Sequence, residues 1–83
     1  MAKFSKSEVS TFRLRATVDQ LGRSFRTREV SEHPDMRRAL ARFENDPQFH
    51  QVIGIALSDR ADQLGIVCVD DASNATWERL GEP

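Results

Sequence analysis

Eighty-three residues, 39% hydrophobic and 30% charged, are enough for one modest core, and the interleaving of charged with apolar positions excludes a disordered chain. No apolar run is long enough to span a membrane and nothing after Met1-Ala2-Lys3 reads as a signal peptide. The single cysteine, Cys68, rules out an internal disulfide, so a reducing, cytoplasmic setting is expected. The net charge of −1 alone speaks against nucleic acid, yet residues 1–43 carry ten Lys/Arg against five acids, and residues 44–83 carry two against eight. Either one face is basic enough to meet phosphate or the two halves attract each other. The expectation is one domain over residues 1–83, with its core at about 5–80 and loose ends at 1–3 and 81–83. A homodimer is a usual remedy where so small a core falls short.

The first element reads as a helix over residues 6–21. Ser5-Lys6-Ser7-Glu8 has the form of a capping box, Phe4 and Val9 are spaced as a hydrophobic staple, and Gly22 suits a left-handed stop. Its interior is ambiguous. Val9, Phe12 and Ala16 share one side, Leu14, Val18 and Leu21 nearly the other, and Phe12, Leu14, Ala16 and Val18 also alternate as a strand does. Next, Ser24–Arg26 is a short extended piece and Thr27 an N-cap for a short helix that breaks at His33-Pro34, because a residue before proline avoids the helical region. Pro34 opens another helix, with Met36, Ala39, Leu40 and Phe43 as its apolar stripe.

Asp46 and Pro47 start the strongest element, a helix over residues 47–64 closed by Gly65. Phe49, Val52, Ile53, Ala56, Leu57, Ala61 and Leu64 keep helical spacing. A rival hairpin from residues 51–57 and 64–70 explains Ile53, Ile55 and Leu57 but not the adjacent pairs 52/53 and 56/57. Gly54 inside this helix costs about 1 kcal/mol against alanine, which suggests close approach of another helix. Residues 66–69 and 76–80, with Trp77 as anchor, then form a hairpin around a polar turn. A C-terminal helix capped by Ser73 or Asn74 is the alternative.

In this order the elements resemble the winged helix-turn-helix family over roughly residues 5–80. Three stretches carry the resemblance: residues 21–30 as the link between the first two helices, residues 47–64 as the third helix, and residues 66–69 with 76–80 as the wing over a buried Trp77. It implies a mainly α fold with a small β-hairpin (α+β), three to four helices and a C-terminal two-stranded wing. It also implies binding of double-stranded DNA, with the third helix in the major groove and the wing on the backbone or in the minor groove. The segment at residues 34–43 is an addition to that pattern. The third helix is poorly charged for DNA, and Asp59, Asp62, Asp70 and Asp71 oppose phosphate if they face it.

For such a complex, Gln48 and Gln51 are the candidates to present amides to adenine edges. Arg26, Arg28, Arg37, Arg38 and Arg42 are the candidates for phosphate, and four or five contacts of that kind predict a log–log salt slope of about −4. The plainer readings are a solvated glutamine and a solvated arginine face. His33 and His50, seventeen residues apart with one thiol elsewhere, suggest no metal site; His33 reads as a helix-junction residue, His50 as a helix-surface one. Cys68, between Val67 and Val69, reads as a small packed side chain. Phe4, Phe12, Phe25, Phe43, Phe49 and Trp77 read as core. No nucleophile–base pair and no phosphate-cradling loop stands out, so neither enzyme activity nor a small-molecule cofactor is expected. The leading expectation is a small DNA-binding regulator or DNA-transaction accessory factor. The alternative is a protein-interaction module on this or a ββαββ-type fold, an inhibitor or adaptor using its acidic C-terminal half.

Overall fold

The first helix begins later than its sequence signals suggest. In the computed structural model, which describes residues 4–70 and 74–80, Lys6–Glu8 is a single 3-10 turn and helix α1 runs Thr11–Asp19. The Ser5 hydroxyl bonds the Ser7 hydroxyl at 2.9 Å rather than capping the Glu8 N–H, and the Glu8 carboxylate meets Arg42 instead of reaching back. Ser10 is the actual cap, its hydroxyl 3.5 Å from the Arg13 N–H. The competing stripes are thereby resolved. Leu14, Thr17 and Val18 are buried, whereas Phe12, expected in the core, is 74% exposed. Gly22 (φ +87°) ends the segment with the left-handed turn that glycine adopts at little steric cost.

That turn sends Ser24–Arg26 back as strand β1. Strands β2 (Ile66–Asp70) and β3 (Thr76–Arg79) complete an antiparallel sheet of order β1-β3-β2. The expected two-stranded wing is therefore part of a three-stranded sheet, because β1 pairs with the edge of β3 that β2 leaves open: Phe25 lies opposite Trp77, and Cys68 opposite Trp77 on the other side. The β3 assignment excludes a C-terminal helix through residues 76–79. Residues 71–73, which include Asp71 and Ser73, lie outside the described residues, as do residues 1–3 and 81–83.

Helix α2 (Thr27–Ser31) follows directly. Thr27, expected as its N-cap, is its first residue; Arg26 takes the cap position, its N–H donating to the Glu29 carboxylate at 2.9 Å. The Thr27 hydroxyl is buried instead, donating to the Ala75 carbonyl (3.3 Å) and accepting from the Trp77 indole N–H (2.8 Å). Helix α3 (Pro34–Ala39) starts as expected at Pro34, with His33 as cap, its Nδ1 accepting from the Asp35 N–H at 3.1 Å. Leu40 leaves the helical region, and a 3-10 turn at Ala41–Phe43 carries the stripe on. Met36, Leu40 and Phe43 are buried, but Ala39 faces solvent.

The stretch predicted as one rod is helical but bent. Helix α4 runs Phe49–Asp59, Arg60 breaks it (φ −116°, ψ 18°), and α5 runs Ala61–Leu64 to Gly65 (φ +69°). This break raises the helix count to five, from the three or four expected. At the break the Arg60 guanidinium donates to the main-chain carbonyls of Val9 and of Lys6 (2.9 Å) and is only 14% exposed. Asp46 organises the approach, its carboxylate accepting the Gln48 N–H at 2.8 Å, so the regular helix begins at Phe49. The buried face of α4 (Phe49, Val52, Ile53, Ala56, Leu57) closes the interior against Leu14, Val18, Val30, Met36 and Trp77. Phe4 stacks on Phe43 and Phe49 at one end, with centroid separations of 4.7 and 5.2 Å. Full burial of each such side chain is worth about 1.5–3 kcal/mol. No helix among the described residues is long and apolar enough to cross a membrane.

Candidate functional site

Burying one side of α4 leaves the other outside, and the helical repeat puts Gln51, Ile55 and Ser58 there in a row. The hairpin of β2 and β3 stands across from this row. Between them is an open groove of about 840 Å³. Pro47, His50, Gln51, Ile55 and Ser58 line it from α4 and its approach, and Cys68 from β2; Trp77, Ala75, Gly54 and Thr27 also line it. Cys68, expected to be packed, is exposed, because β2 is an edge strand with solvent on this side. Gly54 brings α2 and α4 together here: a Cβ at this position would sit 3.4 Å from the Thr27 methyl. His50 hydrogen-bonds the Ser31 hydroxyl through Nδ1 at 3.0 Å, which ties this wall of the groove to α2.

The candidate DNA-contacting residues divide into groups. Gln51 lines the groove; Gln48 is exposed at the cap of α4 but is not part of the lining. Arg26 and Arg28 flank Thr27, so both stand at the α2 side. The Arg28 N–H donates to the Asn74 side chain at 2.9 Å, joining α2 to the hairpin, and its guanidinium lies 3.5 Å from Glu32. The Arg26 guanidinium makes no ion pair with the described residues. Arg37, Arg38 and Arg42 belong to α3 and the turn after it, and none lines the groove. Arg37 lies over the Phe49 ring (6.0 Å) at the start of α4, Arg38 pairs with Asp35 (3.6 Å), and Arg42 lies over Phe43 (4.9 Å) and pairs with Glu8 (3.2 Å).

The acids are less obstructive than the sequence suggests. Asp59 is turned toward the N-terminal 3-10 turn, where Lys6 holds it at 3.0 Å and Arg60 lies 4.0 Å away. Asp62 is on α5, past the break, and Asp70 ends β2; both are exposed. At the start of α3, the Gln20 side-chain amide donates to Asp35 at 2.9 Å, and this bond, against an opposing desolvation and with lesser help from the nearby charges of His33, Arg38 and Arg13, holds the carboxyl below its ordinary value. Among the described residues, no group of three His, Cys, Asp or Glu side chains is placed to hold a metal ion.

Sequence reasoning missed Ile55, Ser58, Cys68, Ala75 and the groove role of Thr27. For Ile55 a signal existed: an isoleucine on the outward side of a helix whose apolar stripe is already complete. No family model, curated protein or solved structure matches this chain. A mostly helical fold with a small sheet is compatible with a winged-helix arrangement, and the functional reading rests on the groove itself.

Proposed function

We propose that this chain is a non-enzymatic, winged-helix-type module that binds double-stranded DNA, as a transcriptional regulator or an accessory factor in DNA transactions. The outward side of α4 enters the major groove, which is wide enough to admit a helix. Arg26 and Arg28 hold phosphates beside it, with Arg37 at the start of α4 as a flanking contact. One observation carries the reading: α4 presents the uncovered row Gln51, Ile55 and Ser58 beside the hairpin while its own acid, Asp59, is turned away and paired with Lys6. Arg28, Arg38 and Arg42 contribute less than Arg26, because each must first leave a carboxylate.

Titration of mixed-sequence duplex at low and at physiological salt tests this. Binding at low salt that weakens with salt, and weakens further in the Arg26→Ala, Arg28→Ala double variant, supports it; no binding to any duplex at low salt overturns it. A second reading, a protein partner, is favoured by exposed apolar side chains: Ile55 (47% exposed) on α4 in the groove, and Val67 (42%) and Val69 (51%) on the edge strand, outside the groove lining. That reading predicts a complex that survives nuclease treatment and is lost when Asp62 and Asp70 are neutralised.

A further inference from the structure

We infer that the duplex taken by α4 is selected for A·T base pairs, an inference that rests on the DNA-binding reading above and specifies its substrate. Gln51, Ile55 and Ser58 follow one another at steps of four and three, so they project along one line of the helix. A glutamine amide matches the N6 donor and N7 acceptor of adenine, while the edge of thymine presents a methyl group that an aliphatic side chain covers. A serine hydroxyl accepts either pair. Ile55, already half exposed, therefore has a methyl to cover on an A·T pair and none on a G·C pair, where cytosine carries only a hydrogen at C5.

The absences point the same way. Guanine is read by Arg or Lys donating to O6 and N7, and α4 contains neither from Phe49 to Asp59. The next cation, Arg60, is committed to the carbonyls of Val9 and Lys6. Cytosine is read by a carboxylate accepting from N4. Asp59 is held by Lys6 on another side of the helix, and Asp62 lies past the break at Arg60. His50, which lines the groove, is engaged with Ser31. The row thus offers partners for adenine and thymine and no dedicated group for guanine or cytosine.

The test selects duplexes from a randomised pool with the full-length chain at low salt, then measures the best binder with thymines replaced by deoxyuridine. The expected result is enrichment of A·T runs and a roughly three- to fourfold loss with deoxyuridine, the size of one buried methyl. That loss should vanish in Ile55→Ala, a substitution at an exposed position whose folding circular dichroism checks. Gln51→Ala should lower preference at a single A·T pair by about tenfold. Binding without base preference, enrichment of G·C, or equal deoxyuridine losses in wild type and Ile55→Ala overturns the inference but not DNA binding. Failure to bind any duplex overturns both.

Discussion

Thr27 shows how much one hydroxyl can join. It takes the indole N–H of Trp77, fifty positions away in the chain, and gives its own proton to Ala75, so it locks α2 to β3 beneath the groove. Thr27→Val keeps the shape and deletes the acceptor. The Ala75 carbonyl still receives the Thr27 backbone N–H at 2.9 Å, but the buried indole N–H is orphaned. The expected cost is about 1–3 kcal/mol, read as a lower urea midpoint and a changed tryptophan emission. Nothing local in the sequence announces this role: a threonine before a short helix looks like a cap, and its partners come from the far end of the chain. Gly54 teaches the reverse. Its setting in a helix rightly suggests a close neighbour, yet an alanine Cβ would meet the Thr27 methyl at ordinary contact distance. Gly54→Ala should therefore gain most of the helix-propensity difference, about 0.5–1 kcal/mol in thermal or urea unfolding. A loss would mean that α2 and α4 tolerate no added methyl.

Segments were readable where a local cause sets them and obscure where a distant one does. Pro34 starts α3, Gly65 stops α5, and the doubled apolar positions 52/53 and 56/57 make α4 a helix; each cause lies within a few residues. The delayed start of α1 and the break at Arg60 meet in space, since the Arg60 guanidinium gathers the Lys6 and Val9 carbonyls of the segment that precedes α1, a contact no local pattern announces. The site suffered likewise. Gln51 was visible as an outward polar group, but the groove needs β2 and β3 placed opposite α4, which follows from β1 pairing with β3 and not from any local pattern. Helix α3 gives a prediction of its own. The folded state holds Asp35 below the roughly 3.9 of an unperturbed aspartate, so the charged form is favoured by folding. The resulting stability is fully present above that unfolded value and is lost as pH falls through the lower folded one. Asp35→Asn should remove this acid-side decline and leave unfolding midpoints at neutral pH and just under 3.8 closer together than in the parent chain.

The uneven charge of the two halves raised two prospects, mutual neutralisation or a basic face, and the ion pairs bear on both. Lys6–Asp59 does join the basic half to the acidic one, and Arg79–Asp19 crosses in the opposite sense. The first half's paired arginines, among the described residues, nevertheless all find acids within that half: Arg28 with Glu32, Arg38 with Asp35, Arg42 with Glu8. Exposed pairs of this kind are worth under about 1 kcal/mol, so they do not hold the halves together. They do change what the arginines bring to a polyanion. A guanidinium beside a carboxylate neutralises less phosphate charge, and the salt dependence of binding counts the phosphates neutralised, at about 0.9 per contact. Five unencumbered arginines give a log–log slope of about −4.5. With Arg28, Arg38 and Arg42 discounted for their carboxylate partners and Arg26 and Arg37 remaining, the expectation falls to about −2. Arg26 is the sharpest probe, because it forms no ion pair with the described residues and faces solvent beside buried Phe25. Arg26→Ala should weaken duplex binding and make the slope shallower by about one unit, whereas Arg38→Ala should move it by much less. A slope that stays at about −4.5 in the parent chain and shifts equally in both variants would mean that Glu32, Asp35 and Glu8 release their arginines to the phosphates, and that the basic face extends from α2 across α3.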